Sequence, residues 1–278
     1  MSQVSSFNQD KFISFRSSFQ TFFFERFNIE LTDKYLSVDY VFSIDRKITF
    51  KPSFKIPLRD YYQFGNLESQ DFRSLVFHIG MVEVISYWKV ICPQNLTIEV
   101  ACMDADQIAF WKKLYFNGLG EFFYLNGIET DQEKFMNINC TSDAHFQPFI
   151  LSNLNGVIIP VGGGKDSVVT LELLKNKQDA LAMIINPRGA SISTAKASGF
   201  DNDRVMEVQR KIDPTLLELN AQGYLNGHTP FSSLLAFQSI LLAMISGKRE
   251  IALSNEGSAN EATVIGTNVN HQYSKSFE

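Results

Sequence analysis

Residues 157–167 read VIIPVGGGKDS, and the fold of the second half of the chain follows from this stretch. Its first five residues form an apolar run, which is typical of a parallel strand that is buried on both faces. Three glycines come directly after the run, and residues 168–174 have a helical pattern, with Asp166 or Ser167 as the expected N-cap. A second apolar run at 181–185 completes a strand–helix–strand unit, so the sequence predicts a parallel sheet.

The glycine loop has the properties of a phosphate-binding loop. Consecutive glycines permit positive φ angles and a close approach of the backbone to a ligand. The helix that follows presents free N–H groups at its N-terminus, Lys165 adds a positive charge and the hydroxyl of Ser167 can donate a hydrogen bond. Two common templates fail, because Ile159 stands at the first glycine of a Walker A loop and Ser167 at the last glycine of a Rossmann loop. The alternative is a tight turn without a ligand.

A second group of polar residues is expected at the same edge of the sheet. Thr229 and Pro230 begin an apolar helix, and residues 251–253 form a further short strand. Asn255 and Glu256 stand where this strand ends. Ligands of open parallel sheets bind outside the carboxyl ends of the strands. The glycine loop and the Asn255–Glu256 pair are therefore predicted to line one rim.

The first half of the sequence indicates mixed α and β structure. The pattern predicts helices over 10–27, 67–91 and 104–125, a strand over 34–44, and an extended segment over 48–56 that bends at Pro52. Asp104 is the expected N-cap of the last of these helices, and Gly127 its stop. Residues 127–155 are rich in polar side chains, which is typical of a linker. We therefore expect an N-terminal α+β domain over 1–150 and an α/β domain over 151–278.

Composition excludes several classes of protein. The chain has 278 residues, 45% of them apolar, and a formal charge of −5, so a basic footprint for nucleic acid is absent. Its three cysteines form no disulfide framework and are expected to be reduced thiols. The sequence shows no secretory signal and no run long enough to span a membrane. We expect a cytoplasmic protein that binds neither nucleic acid nor membrane.

The strand–GGGKDS–helix arrangement resembles the PP-loop of the ATP pyrophosphatase superfamily, whose usual form is SGGxDS. Here Gly162 stands where most members have Ser. The resemblance implies an enzyme that splits ATP into AMP and pyrophosphate, with ATP held by the loop.

A closer resemblance covers roughly residues 156–278. It rests on PVGGGKDS (160–167), LNAQGYLNGHTPF (219–231), LSNE (253–256), SANE (258–261) and NVNHQYSKS (268–276). Together these segments resemble the UDP-N-acetylmuramoyl-L-alanyl-L-glutamate epimerase family, called MurL. The family, as the resemblance implies, uses ATP and Mg²⁺ to invert the terminal L-Glu of UDP-MurNAc-L-Ala-L-Glu through an acyl-adenylate, for peptidoglycan synthesis. Its members are longer, so we expect the PP-loop domain to be incomplete at Glu278.

Candidate site residues follow from the loop, the rim and the resemblance. The nucleotide is expected to contact Gly162, Gly163, Gly164, Lys165, Asp166, Ser167 and Asn255, with Asp166 and Glu256 as ligands of Mg²⁺. The candidates for acid–base catalysis are Glu256, Glu261, His228 and His271. Each has a plainer interpretation: Asp166 as a helix cap, Glu256 as a first-turn carboxylate, Glu261 as a surface residue and His228 as a loop histidine bound to backbone.

Two other functions remain open at this point. One is an amide-forming or thiolating PP-loop enzyme, although reactive cysteines, a basic surface and a glutaminase nucleophile are not evident in the sequence. The other is a fragment that binds nucleotide without turning it over.

Overall fold

One mixed sheet with helices on its faces organises the chain. The computed structural model describes residues 2–177, 179–264, 266–267 and 269–276, and for residues 2–7 it describes the backbone only. The strands are β1 (Thr21–Leu31), β2 (Tyr35–Ile44), β3 (Ile48–Phe50), β4 (Ser53–Pro57), β5 (Asn95–Ile98), β6 (Asn137–Cys140), β7 (Val157–Pro160), β8 (Ala180–Ile185), β9 (Val205–Lys211) and β10 (Glu250–Ile251). The helices are α1 (Ser2–Ser18), α2 (Gln70–Trp88), α3 (Ala105–Gly118), α4 (Gly120–Asn126), α5 (Lys165–Leu174), α6 (Gly189–Ala197), α7 (Pro214–Ala221) and α8 (Phe231–Ser246).

The strand order is β10-β7-β8-β9-β4-β2-β1-β5-β6, with β3 paired to β2 outside this path. All pairs among β10, β7, β8 and β9 are parallel. The pairs of β2 with β1, β3 and β4 are antiparallel, and so is the β4–β9 pair. The expected α/β fold, with a mixed first half and a parallel second half, is confirmed.

Strand β7 is buried on both faces, as its apolar run predicts. Val157 and Ile159 belong to a small apolar cluster that includes Leu171 of α5 and Ala195 of α6. Ile158 belongs to the main core on the opposite face, where α8 contacts β7. Burial on both faces explains why hydrophobic residues do not alternate with polar ones here.

The prediction of a helix over 10–27 is wrong beyond Ser18, because β1 begins at Thr21. Phe22 and Phe24 are fully buried, and β1 pairs with both β2 and β5. The aromatic run satisfies either a helical or a strand pattern, and pairing on both sides selects the strand. A bulge between Phe24 and Arg26 also interrupts the alternation that would have indicated a strand.

Other predicted elements of the first half agree with the structure. The strand β2 lies within 34–44, and the segment 48–56 is divided into β3 and β4 on either side of Pro52. The helix predicted over 104–125 is interrupted at Leu119 into α3 and α4, with Asp104 as N-cap and Gly127 as left-handed C-cap. The predicted linker contains one strand, β6.

The two halves of the chain share the sheet through β4 and β9. Phe54 of β4 is paired with Arg210 of β9. The Arg210 guanidinium makes two bonds to the carboxylate of Glu83 on α2, at 2.5 and 2.7 Å. The Glu83 side chain is only 3% exposed, so this ion pair lies in the core. The boundary between domains at residue 150 stays a prediction.

Two further sequence expectations concern membranes and thiols. Within the described ranges, no helix has both the length and the apolar character needed to cross a bilayer. Cys92 is buried, Cys102 and Cys140 are half-buried, and all three are free thiols.

Replacing Glu83 tests the buried ion pair that joins the two halves of the chain. Glu83→Gln should lower the free energy of unfolding by about 3 kcal/mol, because it leaves the Arg210 charge buried without a counter-charge. Urea denaturation followed by circular dichroism measures this loss. The control is Glu68→Gln, which breaks the exposed Arg73–Glu68 pair and should cost less than about 1 kcal/mol. Equal losses in the two variants would contradict a stabilising role for the buried pair.

Candidate functional site

The glycine loop lies between the end of β7 and the start of α5, and its three glycines differ in what they contact. Gly163 has φ +88°, and a Cβ there would lie 2.9 Å from the backbone nitrogen of Ser191 on α6. A Cβ on Gly162 would meet only the Ser167 hydroxyl, at 3.9 Å, and one on Gly164 would meet nothing within 4 Å. Packing therefore requires a glycine only at Gly163, whereas Gly162 and Gly164 face open space where a ligand can approach the backbone.

The N-terminus of α5 has no side-chain cap. Its N-cap residue is Gly164, so the prediction of Asp166 or Ser167 as N-cap is wrong. The buried Ser167 hydroxyl instead accepts a hydrogen bond from the Gly162 N–H at 3.0 Å, which closes the loop. The N–H groups of the first turn are left without a side-chain acceptor, and such a helix start favours an anion.

Three charged side chains meet beside this helix start. The Lys165 ammonium donates to the Asp166 carboxylate at 2.8 Å and to the Glu256 carboxylate. These two bonds, first the one to Asp166 and then the one to Glu256, raise the pKa of Lys165 above its ordinary value. The bond from Lys165 lowers the pKa of Asp166. Lys165 and Asp166 are therefore both charged at neutral pH, next to the open face of the loop.

Two adjoining cavities surround the loop. The first has a volume of about 230 Å³. It is lined by Pro160, Gly162, Gly164, Asp166, Ser167, Ser232, Leu235, Leu253, Ser254, Asn255, Ser274 and Lys275. The second, of about 410 Å³, shares Gly162 and Leu235 with the first. Its other lining residues are Val161, Ile185, Asn186, Arg188, Ala190, Ser191, Arg210, Ile212 and Phe231.

The predicted metal ligands, Asp166 and Glu256, lie close together, since each forms an ion pair with the same side chain, Lys165. Among the residues that the structure describes, no group of three or more His, Cys, Asp or Glu side chains could hold a metal ion. Mg²⁺ commonly uses one or two carboxylates together with phosphate oxygens and water. The two carboxylates thus fit a Mg²⁺ ion that arrives with a phosphate, and do not make a closed protein site.

The structure also brings the two predicted catalytic histidines together. The rings of His228 and His271 have centroids 6.4 Å apart. The Nδ1 atom of His271 lies 2.5 Å from the Thr263 hydroxyl, and the Nδ1 atom of His228 lies 3.9 Å from a Glu121 carboxylate oxygen. Burial lowers the pKa of His228, so its imidazole is neutral at neutral pH.

The remaining predicted residues are placed as follows. Asn255 lines the first cavity. The strand predicted over 251–253 is wrong beyond Ile251, where β10 ends, so Asn255 lies four residues after the strand. The exposed Glu261 follows a 3₁₀ turn, and its side chain makes no hydrogen bond or ion pair with another described residue. Lys275 lines the first cavity and its charge acts on both Asp166 and His228. The charge of Lys275 therefore reaches both the glycine loop and His228.

Sequence reasoning did not identify Arg188, Arg210 or Glu121. Arg188 stands three residues after the end of β8, on the rim where ligands of parallel sheets bind. This position in the sequence could have identified it as a candidate binding residue. Arg210 and Glu121 come near the cavities and the histidines only through packing of distant segments, for which the sequence carries no local signal.

One family model matches nearly the whole chain. Residues 14–278 match the family described as the MurL N-terminal domain. The chain belongs to this family. The match extends the resemblance noted for residues 156–278 into the first half of the chain, and no solved structure matches.

Three curated relatives carry the name UDP-N-acetyl-alpha-D-muramoyl-L-alanyl-L-glutamate epimerase. The protein from Xanthomonas oryzae pv. oryzae is 32% identical over 202 residues, which is 72% of this chain and 44% of that protein. Those from Micromonospora sp. and Salinispora tropica are each 31% identical, over 72% of this chain and 44% and 43% of their own lengths. The chain spans less than half the length of the curated MurL relatives it matches.

Substitution of single glycines tests which of them serve packing. Gly163→Ala should destabilise the protein by about 1–3 kcal/mol, because its φ is positive and the new methyl group meets the backbone of α6. Gly164→Ala should change the free energy of unfolding by less than about 0.5 kcal/mol, yet weaken the binding of inorganic pyrophosphate. Urea denaturation and calorimetric titration measure the two effects. Full pyrophosphate binding by Gly164→Ala would show that the open face of the loop is not a phosphate site.

Proposed function

We propose that this chain forms the ATP-binding part of an epimerase that inverts the terminal L-Glu of UDP-MurNAc-L-Ala-L-Glu to D-Glu for peptidoglycan synthesis. The observation that carries the proposal is the uncapped start of α5, with open glycines before it and the Lys165 charge beside it. The names of the curated relatives supply the substrate and the reaction.

The chain offers a place for each part of Mg-ATP. Backbone groups of the loop, the first turn of α5 and Lys165 would hold the phosphates. The second cavity adjoins the loop at Gly162, and its volume of about 410 Å³ and its apolar residues Ile185 and Phe231 suit the nucleoside. Asp166 and Glu256 would hold Mg²⁺. When bound, ATP supplies the adenylyl group that converts a glutamyl carboxylate into an acyl-adenylate, with pyrophosphate and then AMP as products.

Activation of the carboxylate explains why ATP is needed for an inversion. A proton next to a carboxylate is very weakly acidic, because the carbanion would form beside a negative charge. Once that charge is removed, a side chain with a pKa near neutrality can take the proton. His228 is neutral at neutral pH and can act as this base, and His271 is the second candidate for proton transfer, on the neighbouring ring.

Replacing Lys165 tests nucleotide binding directly. Lys165→Ala should weaken the binding of Mg-ATP by about 10–100-fold, because it removes a charge-assisted contact to phosphate worth roughly 1.5–3 kcal/mol. Isothermal titration calorimetry measures binding, and circular dichroism verifies the fold. The matched control is Lys175→Ala at the other end of α5, where Lys175 pairs with Glu172, and it should bind Mg-ATP like the wild type.

An assay of the reaction separates the alternatives. The chain is given Mg-ATP and UDP-MurNAc-L-Ala-L-Glu, and AMP and D-Glu are measured together. Both products should appear, and Lys165→Ala should form no AMP. AMP without D-Glu would indicate a ligating or amidating enzyme, and binding without either product would indicate a nucleotide-binding module. Unchanged AMP release by Lys165→Ala would overturn the assignment of the loop.

A further inference from the structure

We infer that Glu121 is the positioning residue of His228, so that the unit for proton transfer is assembled from both halves of the chain. The role of this unit in inversion rests on the proposed function, whereas the contact itself does not. Glu121 stands in the first turn of α4, more than one hundred residues before His228. The inference is carried by the way the His228 loop is held and by the charges that face the imidazole.

The loop over residues 226–230 is packed tightly against α3 and α4. A Cβ on Gly227 would lie 2.9 Å from the Phe122 ring, and a Cβ on Gly118 would lie 2.8 Å from Pro230. The ammonium of Lys89, at the end of α2, donates to the Gly227 carbonyl from a buried position. The backbone on both sides of His228 is therefore held by the first half of the chain.

This packing places Glu121 beside one particular nitrogen of His228. The distance from the Glu121 carboxylate to Nδ1 is 3.9 Å, and the two side chains are 29% and 39% exposed. A carboxylate on the Nδ1 side favours the tautomer that carries its proton there, as carboxylates do for catalytic histidines. The Nε2 atom is then left unprotonated and can accept a proton.

The other charges around His228 lower its pKa, whereas the Glu121 carboxylate raises it. Besides Glu121 on α4, the groups that face it are Lys89 directly after α2, His271, and Lys275 in a 3₁₀ turn. Burial is the largest effect and lowers the pKa of His228, and His271, Lys89 and Lys275 lower it further. Glu121 is the group among those described that raises this pKa. It therefore stabilises the imidazolium that forms when His228 takes up a proton.

The proposed inversion consists of two proton transfers, one at each face of the glutamyl Cα. The Cα–H bond of the activated glutamyl residue breaks, its proton moves to Nε2 of His228, and its electron pair enters the enolate of the activated carboxyl group. A proton delivered by way of His271, the candidate on the neighbouring ring, reaches the opposite face of Cα and restores a C–H bond with inverted configuration. Exchange with solvent then returns both rings to their starting states.

The test is a titration of the histidine rings in the intact chain by NMR, without nucleotide or substrate. The chain has four histidines, so each ring can be assigned by single substitution. Glu121→Gln should lower the pKa of His228 by about 0.5, since it removes a negative charge roughly 4 Å away. The matched control is Glu129→Gln, an exposed carboxylate just after α4, which should leave this pKa unchanged. An unchanged or higher pKa of His228 in Glu121→Gln would overturn the inference.

A second measurement needs no variant. The ¹⁵N chemical shifts of the neutral His228 ring report which nitrogen carries the proton, and the inference expects Nδ1. A predominant Nε2–H tautomer would overturn it. Both measurements are independent of ATP, so their failure would leave the proposed function standing. Conversely, loss of the proposed function in the Lys165 experiments would leave the Glu121–His228 contact intact.

Discussion

The burial of β7 on both faces is the constraint on which the second half of the structure depends. Val157 and Ile159 pack beneath α5 and α6, while Ile158 packs toward α8. A strand enclosed in this way cannot carry polar residues until it leaves the sheet. The glycine loop therefore emerges at the rim, with the start of α5 on one side and the segment after β10 on the other. The burial of the strand thus places at the rim the open glycines and the uncapped start of α5 on which the proposed phosphate site depends.

The contact between the two halves of the chain is the second constraint on the structure. The β4–β9 pair continues the sheet from one half into the other, and the Arg210–Glu83 ion pair closes the core beside it. Arg210 also lines the larger cavity at the loop. The candidate nucleotide site thus depends on helix α2 of the first half, even though the residues that would touch phosphate all belong to the second half.

The histidine pair illustrates how much of a site can come from distant packing. His228 follows a glycine that lets the backbone lie against Phe122, and it is flanked by charges from α2, α4 and the end of the described chain. None of these groups is near it in sequence apart from the loop itself. Burial makes the imidazole neutral, and Glu121, the carboxylate among the described groups that acts on the ring, favours its protonated form, so the ring is suited to accept a proton and release it again.

The sequence by itself determined the unit from β7 through the glycine loop to α5, and the position of Asn255 and Glu256 at the rim. These features depend on local hydrophobic pattern and glycine conformation, which act within a few residues. The cap of α5 is an exception, because its N-cap is Gly164 and not Asp166 or Ser167. The sequence also misread residues 19–27, since a Phe-rich run satisfies two periodicities and only pairing with β2 and β5 selects the strand. Only the tertiary structure decided that Lys165 meets Glu256, 91 residues away, and that His228 meets Glu121. Such contacts depend on how separate elements pack together, and no local pattern records that packing.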